Sequence, residues 1–270
     1  MDCTTALKQL VSTVPGLNVV SKRRYNRRFE KNPYGEQLYR GIFKTYADAL
    51  ASAPSDVSLG YDNEGPAGLY EELQLKIEDY DWPVLFQLEK IAVENATVFD
   101  FGGHVGIKYY SYRRHLSRMP QIWTVCDVPA VVARGEELAE EWGETALRFT
   151  QHFGRLAGKD TLLCLGSLQY VPEDLSDLLL SVEYEDLPNR VILNTTPFTE
   201  EETFYTLNNF GPATAPYKIQ NREDFVANVE AVGYRLVQTW SNPGRACEVP
   251  FQDERKPFKY LGMMFHKQGQ

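Results

Sequence analysis

Apolar residues recur at helical spacing in the first third of the chain and give way to short apolar runs after residue 95. In segments 69–79 and 82–93 they return every three or four residues, and Pro83 stands where the first turn of a helix tolerates proline. We therefore predict a helical N-terminal extension over residues 1–95 and an α/β domain over residues 96–270.

The later apolar runs predict strands, at 96–101, 121–126, 146–149, 161–166, 190–195, 234–240 and 258–265. Helical patterns at 107–116, 129–142 and 221–232 separate several of these runs, whereas only a loop separates the last two. Strands joined through helices pair in parallel with right-handed crossovers, and strands joined by a loop pair antiparallel. The pattern therefore predicts a doubly wound, Rossmann-like sheet with one antiparallel strand near its edge.

The first of these strands leads into a glycine-rich turn, VFDFGGHVG at residues 98–106. Such a turn lets the backbone approach a ligand closely, and the helix that follows presents N–H groups to it. The spacing does not fit the dinucleotide pattern G-x-G-x-x-G, because His104 and Ile107 stand where the second and third glycines belong. An acid two residues before the first glycine, Asp100, suits the positively charged ammonium and sulfonium of S-adenosylmethionine. A simple tight turn is the alternative interpretation.

Asp127 ends the second predicted strand. A carboxylate at that position can accept hydrogen bonds from both hydroxyls of a ribose. The alternative is an N-cap for the next helix, because Pro129 stands in the first turn of that helix.

Three segments, VFDFGGHVG, WTVCDVPAVV and LLCLGSLQYVPED, resemble a family of S-adenosylmethionine-dependent methyltransferases found among bacterial genes for surface-glycan and natural-product synthesis. The resemblance extends over about residues 40–265, and the central part also resembles small-molecule O-methyltransferases, with their D-x-G-G-G-x-G turn and later D-L-P. It implies a class I methyltransferase fold, S-adenosylmethionine as cofactor, and a small-molecule or saccharide acceptor. The cofactor-binding residues it implies by position are Asp100, Gly102, Gly103, Gly106, Asp127, Val128, Ser167 and Leu168.

The chain departs from this pattern at two positions. His104 replaces the middle glycine of the turn, so it either adopts a left-handed conformation or reshapes the site. The O-methyltransferases carry a general-base histidine after the fourth strand, where this chain has Gln169, and glutamine is not a base.

Three other residues are candidates for the base: His104 in the turn, His152 after the third strand and Tyr170 after the fourth. Their alternative roles are a turn residue, a surface histidine and a core aromatic residue.

The segment 195–218 is long for a simple connection and predicts a loop that binds the acceptor. Its candidate contacts with a sugar or an aromatic acceptor are Tyr205, Asn208, Tyr217 and Lys218.

The net charge of −9 argues against a nucleic-acid partner, because neutralising phosphates requires a basic face. One local exception is a basic cluster, which is either a solvated turn or a dock for an anionic substrate or an anionic lipid surface. The cluster comprises Lys22, Arg23, Arg24, Arg27 and Arg28.

The dispersed cysteines and histidines predict no metal site. No apolar run is long enough to span a bilayer, and the N-terminal sequence is unlike a secretory signal, so a cytoplasmic protein without integral membrane association is expected. A homodimeric assembly is left open.

Two functions of other classes compete with a methyltransferase. One is a nicotinamide-dependent oxidoreductase, which the glycine spacing disfavours. The other is a catalytically inactive, methyltransferase-like scaffold, which the replacement at His104 and the missing histidine base would suit. A methyltransferase-fold enzyme that uses the cofactor for a different reaction is a further alternative.

Overall fold

A computed structural model of the chain describes residues 15–32, 35–54, 59–60, 62, 76–91, 95–252 and 258–269. The described helices are α1 (Pro15–Lys31), α2 (Tyr46–Ala51), α3 (Trp82–Ile91), α4 (Ile107–Tyr112), α5 (Pro129–Glu141), α6 (Leu175–Leu180) and α7 (Arg222–Ala231). The described strands are β1 (Leu38–Phe43), β2 (Thr97–Phe101), β3 (Ile122–Cys126), β4 (Leu147–Thr150), β5 (Thr161–Leu165), β6 (Arg190–Thr199), β7 (Phe204–Asn209), β8 (Thr214–Asn221), β9 (Tyr234–Cys247) and β10 (Phe258–Lys267).

The main sheet runs in the order β4–β3–β2–β5–β6–β10–β9. Strands β2 to β6 pair in parallel, and β10 lies antiparallel between β6 and β9. The sheet is therefore doubly wound with one inverted strand, which is the strand order of class I methyltransferases and confirms the predicted fold class. The chain reverses direction across the sheet between β2 and β5, where open α/β sheets bind their ligands.

Consecutive residues of the central strands are buried on opposite faces of this sheet. Phe99 and Leu162 pack into one core cluster, whereas Val98 and Leu163 pack into another, and all four are at most 1% exposed. Burial on both faces explains the nearly continuous apolar runs that predicted these strands.

A smaller antiparallel sheet adjoins the carboxyl end of β6. Strand β7 pairs with β8 and with β1, and the end of β6 pairs with the end of β8. The prediction of a binding loop over residues 195–218 is therefore wrong, because β6 continues to Thr199 and most of the remainder forms a β-hairpin. The described part of the chain before β2 is not wholly helical either, because β1 joins this sheet.

The other predicted elements differ from the structure mainly at their ends. Helix α4 ends at Tyr112, four residues before the predicted end at 116, and β9 continues to Cys247. Asn221 caps α7, accepting a hydrogen bond from the backbone N–H of Asp224. The predicted helix at 69–79 lies largely outside the described residues, and the division of the chain at residue 95 stays a prediction.

The basic cluster lies on α1 and is a helical surface rather than a turn. Its five side chains are exposed, and Arg28 forms an ion pair with Glu36. None of the described helices combines the length and the apolar character that crossing a lipid bilayer requires.

Candidate active site

A cavity of about 750 Å³ opens where the carboxyl ends of β2, β3, β5 and β6 meet. Its volume falls within the range of about 300–1,000 Å³ that is typical of small-molecule sites. The walls come from the glycine turn after β2, the segments after β3, β4 and β5, the end of β6, and parts of the chain before β2.

The glycine turn packs so tightly that two of its residues have no room for a side chain. A Cβ atom on Gly102, which has a φ of +72°, would lie 2.3 Å from the Cβ of Ser167. A Cβ on Gly103 would lie 2.4 Å from a carboxylate oxygen of Asp100. Bare backbone therefore forms this wall of the cavity, between the ends of β2 and β5.

Asp100 lies beneath the turn with only 1% of its surface exposed. Its Oδ2 accepts a hydrogen bond from Nε1 of Trp123 at 3.1 Å, and no described group donates to Oδ1. Burial raises the pKa of this carboxyl group to about 7, although the Trp123 bond acts in the opposite direction. A cation in the cavity would favour the ionised form of this carboxyl group.

Asp127 joins the end of β3 to the glycine turn. Its Oδ2 accepts from the backbone N–H of His104 at 2.9 Å, and its Oδ1 accepts from the N–H of Val128 at 2.8 Å. Burial raises its pKa to about 6, against the lowering effect of these two bonds.

Asp127 is not the cap of α5. The N-cap residue is Val128, and the backbone N–H of Ala130 donates instead to Oδ1 of Asp62 at 2.9 Å. The helix-cap alternative for Asp127 is therefore wrong, and the carboxylate is left at the cavity wall.

His104 adopts the left-handed conformation that replacement of the middle glycine requires, with a φ of +57°. It lines the cavity and is only 7% exposed. The other two candidate bases also line the cavity, but His152 is exposed and the hydroxyl of Tyr170 donates to Oδ1 of Asn208 at 3.0 Å.

Six of the eight predicted cofactor residues line the cavity, and these are Asp100, Gly102, Gly103, Asp127, Val128 and Ser167. Leu168 does not, because it is buried in the apolar core beneath the sheet edge. Gly106 does not either, because it precedes α4 as its N-cap with a φ of +89°.

None of the four residues proposed from 195–218 lines the cavity. Tyr205 packs edge-on against Tyr46, with ring centroids 6.1 Å apart. Tyr217 packs against Tyr170, with centroids 5.1 Å apart, and Asn208 accepts the hydrogen bond from the Tyr170 hydroxyl. Because Tyr46 and Tyr170 do line the cavity, these three hairpin residues support its wall from behind.

Lys218, the fourth of these residues, is 1% exposed and is fully engaged within the protein. Its Nζ donates to Oδ1 of Asp174 at 2.9 Å and to the carbonyl oxygens of Pro172 and Glu173 at 3.0 and 2.8 Å. Its place in the fold is therefore structural.

Several lining residues were not predicted from the sequence, and most of them come from segments distant along the chain from the glycine turn. They are Tyr46, Asp62, Tyr80, Asp81, Lys108, Asn194, Thr195 and Arg245. Asn194 connects three of these segments: its Nδ2 donates to the carbonyl oxygen of Tyr80, and its Oδ1 accepts from Trp240 and Asn242 on β9. Thr195 follows it with a φ of +48°, a strained conformation of the kind that clusters at functional sites.

No group of His, Cys, Asp and Glu side chains suited to a metal ion occurs among the residues that the structure describes.

No protein-family model and no curated protein sequence matches this chain. Solved methyltransferase structures resemble it at low identity. The Burkholderia thailandensis 1,6-didemethyltoxoflavin-N1-methyltransferase, solved with its substrate and S-adenosylhomocysteine, is 19% identical with a TM-score of 0.47, over 71% of this chain and 80% of that one.

Two further structures show the same level of similarity. An S-adenosylmethionine-dependent methyltransferase from Clostridium acetobutylicum is 11% identical with a TM-score of 0.48, over 70% of this chain and 91% of that one. The magnesium protoporphyrin IX methyltransferase from Synechocystis, solved with S-adenosylmethionine, is 15% identical with a TM-score of 0.44, over 69% of this chain and 79% of that one. The fold class rests on the strand order described above, and not on these similarities.

Proposed function

We propose that this chain is an S-adenosylmethionine-dependent methyltransferase that acts on a small-molecule acceptor. The observation that supports it most directly is the position of Asp127. This carboxylate holds the backbone of the glycine turn beside the point where the sheet reverses direction, and it faces the cavity there. A ribose binds at the corresponding place in doubly wound folds.

The charges on this side of the cavity suit a cationic cofactor. Asp62, Asp100 and Asp127 all line it, and Oδ1 of Asp100 has no donor among the described residues. Asp100 lies beneath the glycine turn, where a dinucleotide places its pyrophosphate, and its ionised form would repel that group, which disfavours the oxidoreductase alternative. When bound, S-adenosylmethionine supplies a methyl group on a positively charged sulfur atom.

The residues of the chain have separable roles in this proposal. Asp127 binds the ribose, and Gly102 and Gly103 let the backbone approach the cofactor. Asp100 supports the turn and offers a negative charge to the ligand. The enclosing walls hold the acceptor at attack distance, which supplies much of the catalysis in a substitution of this kind.

We further propose that the acceptor atom is a hydroxyl oxygen and that His104 takes its proton. A neutral hydroxyl is a poor nucleophile, so a base near the transferred methyl group is needed. His104 is part of the turn that lines the cavity, whereas the Tyr170 hydroxyl is engaged with Asn208 and His152 is exposed.

Calorimetry with S-adenosylmethionine, S-adenosylhomocysteine and NAD tests the cofactor. We expect the first two to bind and NAD not to bind. A hydrogen bond to a charged group contributes about 1.5–3 kcal/mol, so Asp127→Ala should weaken S-adenosylhomocysteine binding by roughly 10- to 100-fold.

Asp177→Ala is the matched control, because Asp177 is an exposed carboxylate on α6 that does not line the cavity. It should leave the affinity unchanged. Binding of NAD without S-adenosylhomocysteine would support the oxidoreductase instead. Binding of S-adenosylhomocysteine with no transfer of label from methyl-labelled cofactor to any small molecule of a cell extract would support the scaffold.

A further inference from the structure

Lys108 and Arg245 are the lysine and arginine side chains that line the cavity within the described residues, and they differ in how their charges are compensated. The Nζ of Lys108 donates to both carboxylate oxygens of Asp81, at 2.7 and 2.9 Å. Asp81 is only 1% exposed and also accepts from the hydroxyl of Tyr112 at 2.8 Å. The charge of Lys108 is therefore neutralised inside the wall.

Arg245 has no such partner, because no described carboxylate lies within ion-pair distance of its guanidinium group. Two aromatic rings hold the guanidinium instead, with its central carbon 5.2 Å from the ring centroid of Tyr80 and 5.1 Å from that of Tyr260. Stacking on aromatic rings orients a guanidinium, and the N–H groups that do not bond to the Tyr80 hydroxyl stay available for an anion.

The ring of Tyr260 and the backbone of Tyr80 are themselves held by hydrogen bonds. The hydroxyl of Tyr260 forms hydrogen bonds with the hydroxyls of Tyr39 at 3.0 Å and Tyr217 at 2.7 Å. The carbonyl oxygen of Tyr80 accepts from Nδ2 of Asn194 at 2.8 Å. Arg245 is thus held in place before any ligand binds, which lowers the entropic cost of recognition.

The position of Arg245 separates it from the carboxylates of the proposed cofactor side. It belongs to β9, at the opposite end of the main sheet from β3 and β4, whereas Asp127 follows β3. The cavity thus has a side rich in carboxylates near β3 and a cation beyond β6.

We propose that Arg245 binds an anionic group of the methyl acceptor, a carboxylate or a phosphate. A guanidinium binds either group through paired hydrogen bonds, which fixes the orientation of the acceptor as well as its charge. This inference rests on the proposed function, because it assigns the part of the cavity beyond β6 to the acceptor.

A set of three small aromatic probes, two anionic and one neutral, tests the proposal. The protein is first saturated with S-adenosylhomocysteine and then titrated with 4-hydroxybenzoate, phenyl phosphate and the neutral 4-hydroxybenzamide, with binding followed by NMR. We expect at least one anion to bind roughly 10- to 100-fold more tightly than the amide, because a charge-assisted hydrogen bond contributes at that level. The anion that binds more tightly shows whether Arg245 recognises a carboxylate or a phosphate.

Arg245→Gln should abolish this preference and leave S-adenosylhomocysteine affinity unchanged. Arg235→Gln is the control, because Arg235 is an exposed arginine on the same strand that does not line the cavity, and this variant should keep the preference. The proposal is overturned if the wild-type protein binds the amide as well as the anions, or if Arg245→Gln retains the preference. It is also overturned if Arg245→Gln weakens S-adenosylhomocysteine binding, since Arg245 would then hold the cofactor. Failure of the wild-type protein to bind S-adenosylhomocysteine would instead contradict the proposed function.

Discussion

Asp100 carries a carboxyl group whose surroundings oppose ionisation. Burial raises its pKa to about 7, well above the value of 3.8 that an unperturbed aspartate shows. A folded-state pKa above the unfolded value means that the group's contribution to stability is complete below about pH 4 and is lost as the pH rises through about 7. Asp127, with a pKa raised to about 6, acts in the same direction.

We therefore predict that Asp100→Asn gains stability relative to the wild-type protein as the pH rises. Asparagine mimics the neutral carboxyl group at pH 5, whereas at pH 8 the wild-type protein must keep a buried charge. The difference in unfolding free energy between the two should change by roughly 2 kcal/mol in favour of the variant. Urea unfolding of both proteins without ligand at pH 5, 6, 7 and 8 measures it, and a difference that is constant with pH would contradict the raised pKa.

His104 is the proposed base, and its replacement with glycine tests that role. Glycine adopts a φ of +57° without strain, so His104→Gly should fold at least as well as the wild-type protein and bind S-adenosylhomocysteine normally. If His104 is the base, methyl transfer should fall by about 10²–10⁴-fold. Rates of label transfer from methyl-labelled S-adenosylmethionine, measured across pH, decide this. An active variant with an unchanged pH profile would remove His104 and leave His152 and Tyr170 as candidates.

At the level of elements, the way in which a strand is buried decides whether the sequence alone can predict it. The central strands were predicted because both faces pack into apolar cores, as Val98 and Phe99 do. The strands β7 and β8 were missed because their buried positions include polar residues. Asn209 accepts from Nδ2 of Asn32 and donates to the carbonyl oxygen of Phe29, partners that no local pattern reveals.

Lys218 stabilises β8 through its buried hydrogen bonds, and replacing it tests how much they contribute. Replacing it with methionine leaves the carbonyl oxygens of Pro172 and Glu173 without the donor that the ammonium group provides. Lys218→Met should lower the unfolding free energy by about 1–3 kcal/mol and leave S-adenosylhomocysteine affinity unchanged. Urea unfolding and calorimetry measure the two quantities.

The matched control is Lys259→Met, because Lys259 is an exposed lysine on β10. It should change stability little, since surface substitutions usually stay within about 0.5 kcal/mol. If Lys218→Met instead lost S-adenosylhomocysteine affinity and kept its stability, Lys218 would be a binding residue.

At the scale of the whole molecule, the sequence predicted one side of the cavity much better than the other. The side near β3 comes from turns that directly follow strands, so its residues lie in short motifs such as those around Gly102 and Asp127. The side near Arg245 combines segments from both ends of the chain. Tyr80 and Arg245 meet although they lie far apart in the sequence, and no local spacing indicates such a contact.

The pairing of β1 with β7 has a consequence for the order in which the protein is built during synthesis. Leu38 pairs with Asn209, so β1 leaves the ribosome well before the strand with which it pairs. Strands β2 to β5 meanwhile have neighbours close along the chain and can pair as soon as they emerge. Closing the longer loop costs more entropy and comes later. A nascent chain that is halted after β5 would already contain the glycine turn and Asp127, whereas Tyr170 and the hairpin that supports it and Tyr46 would not yet exist.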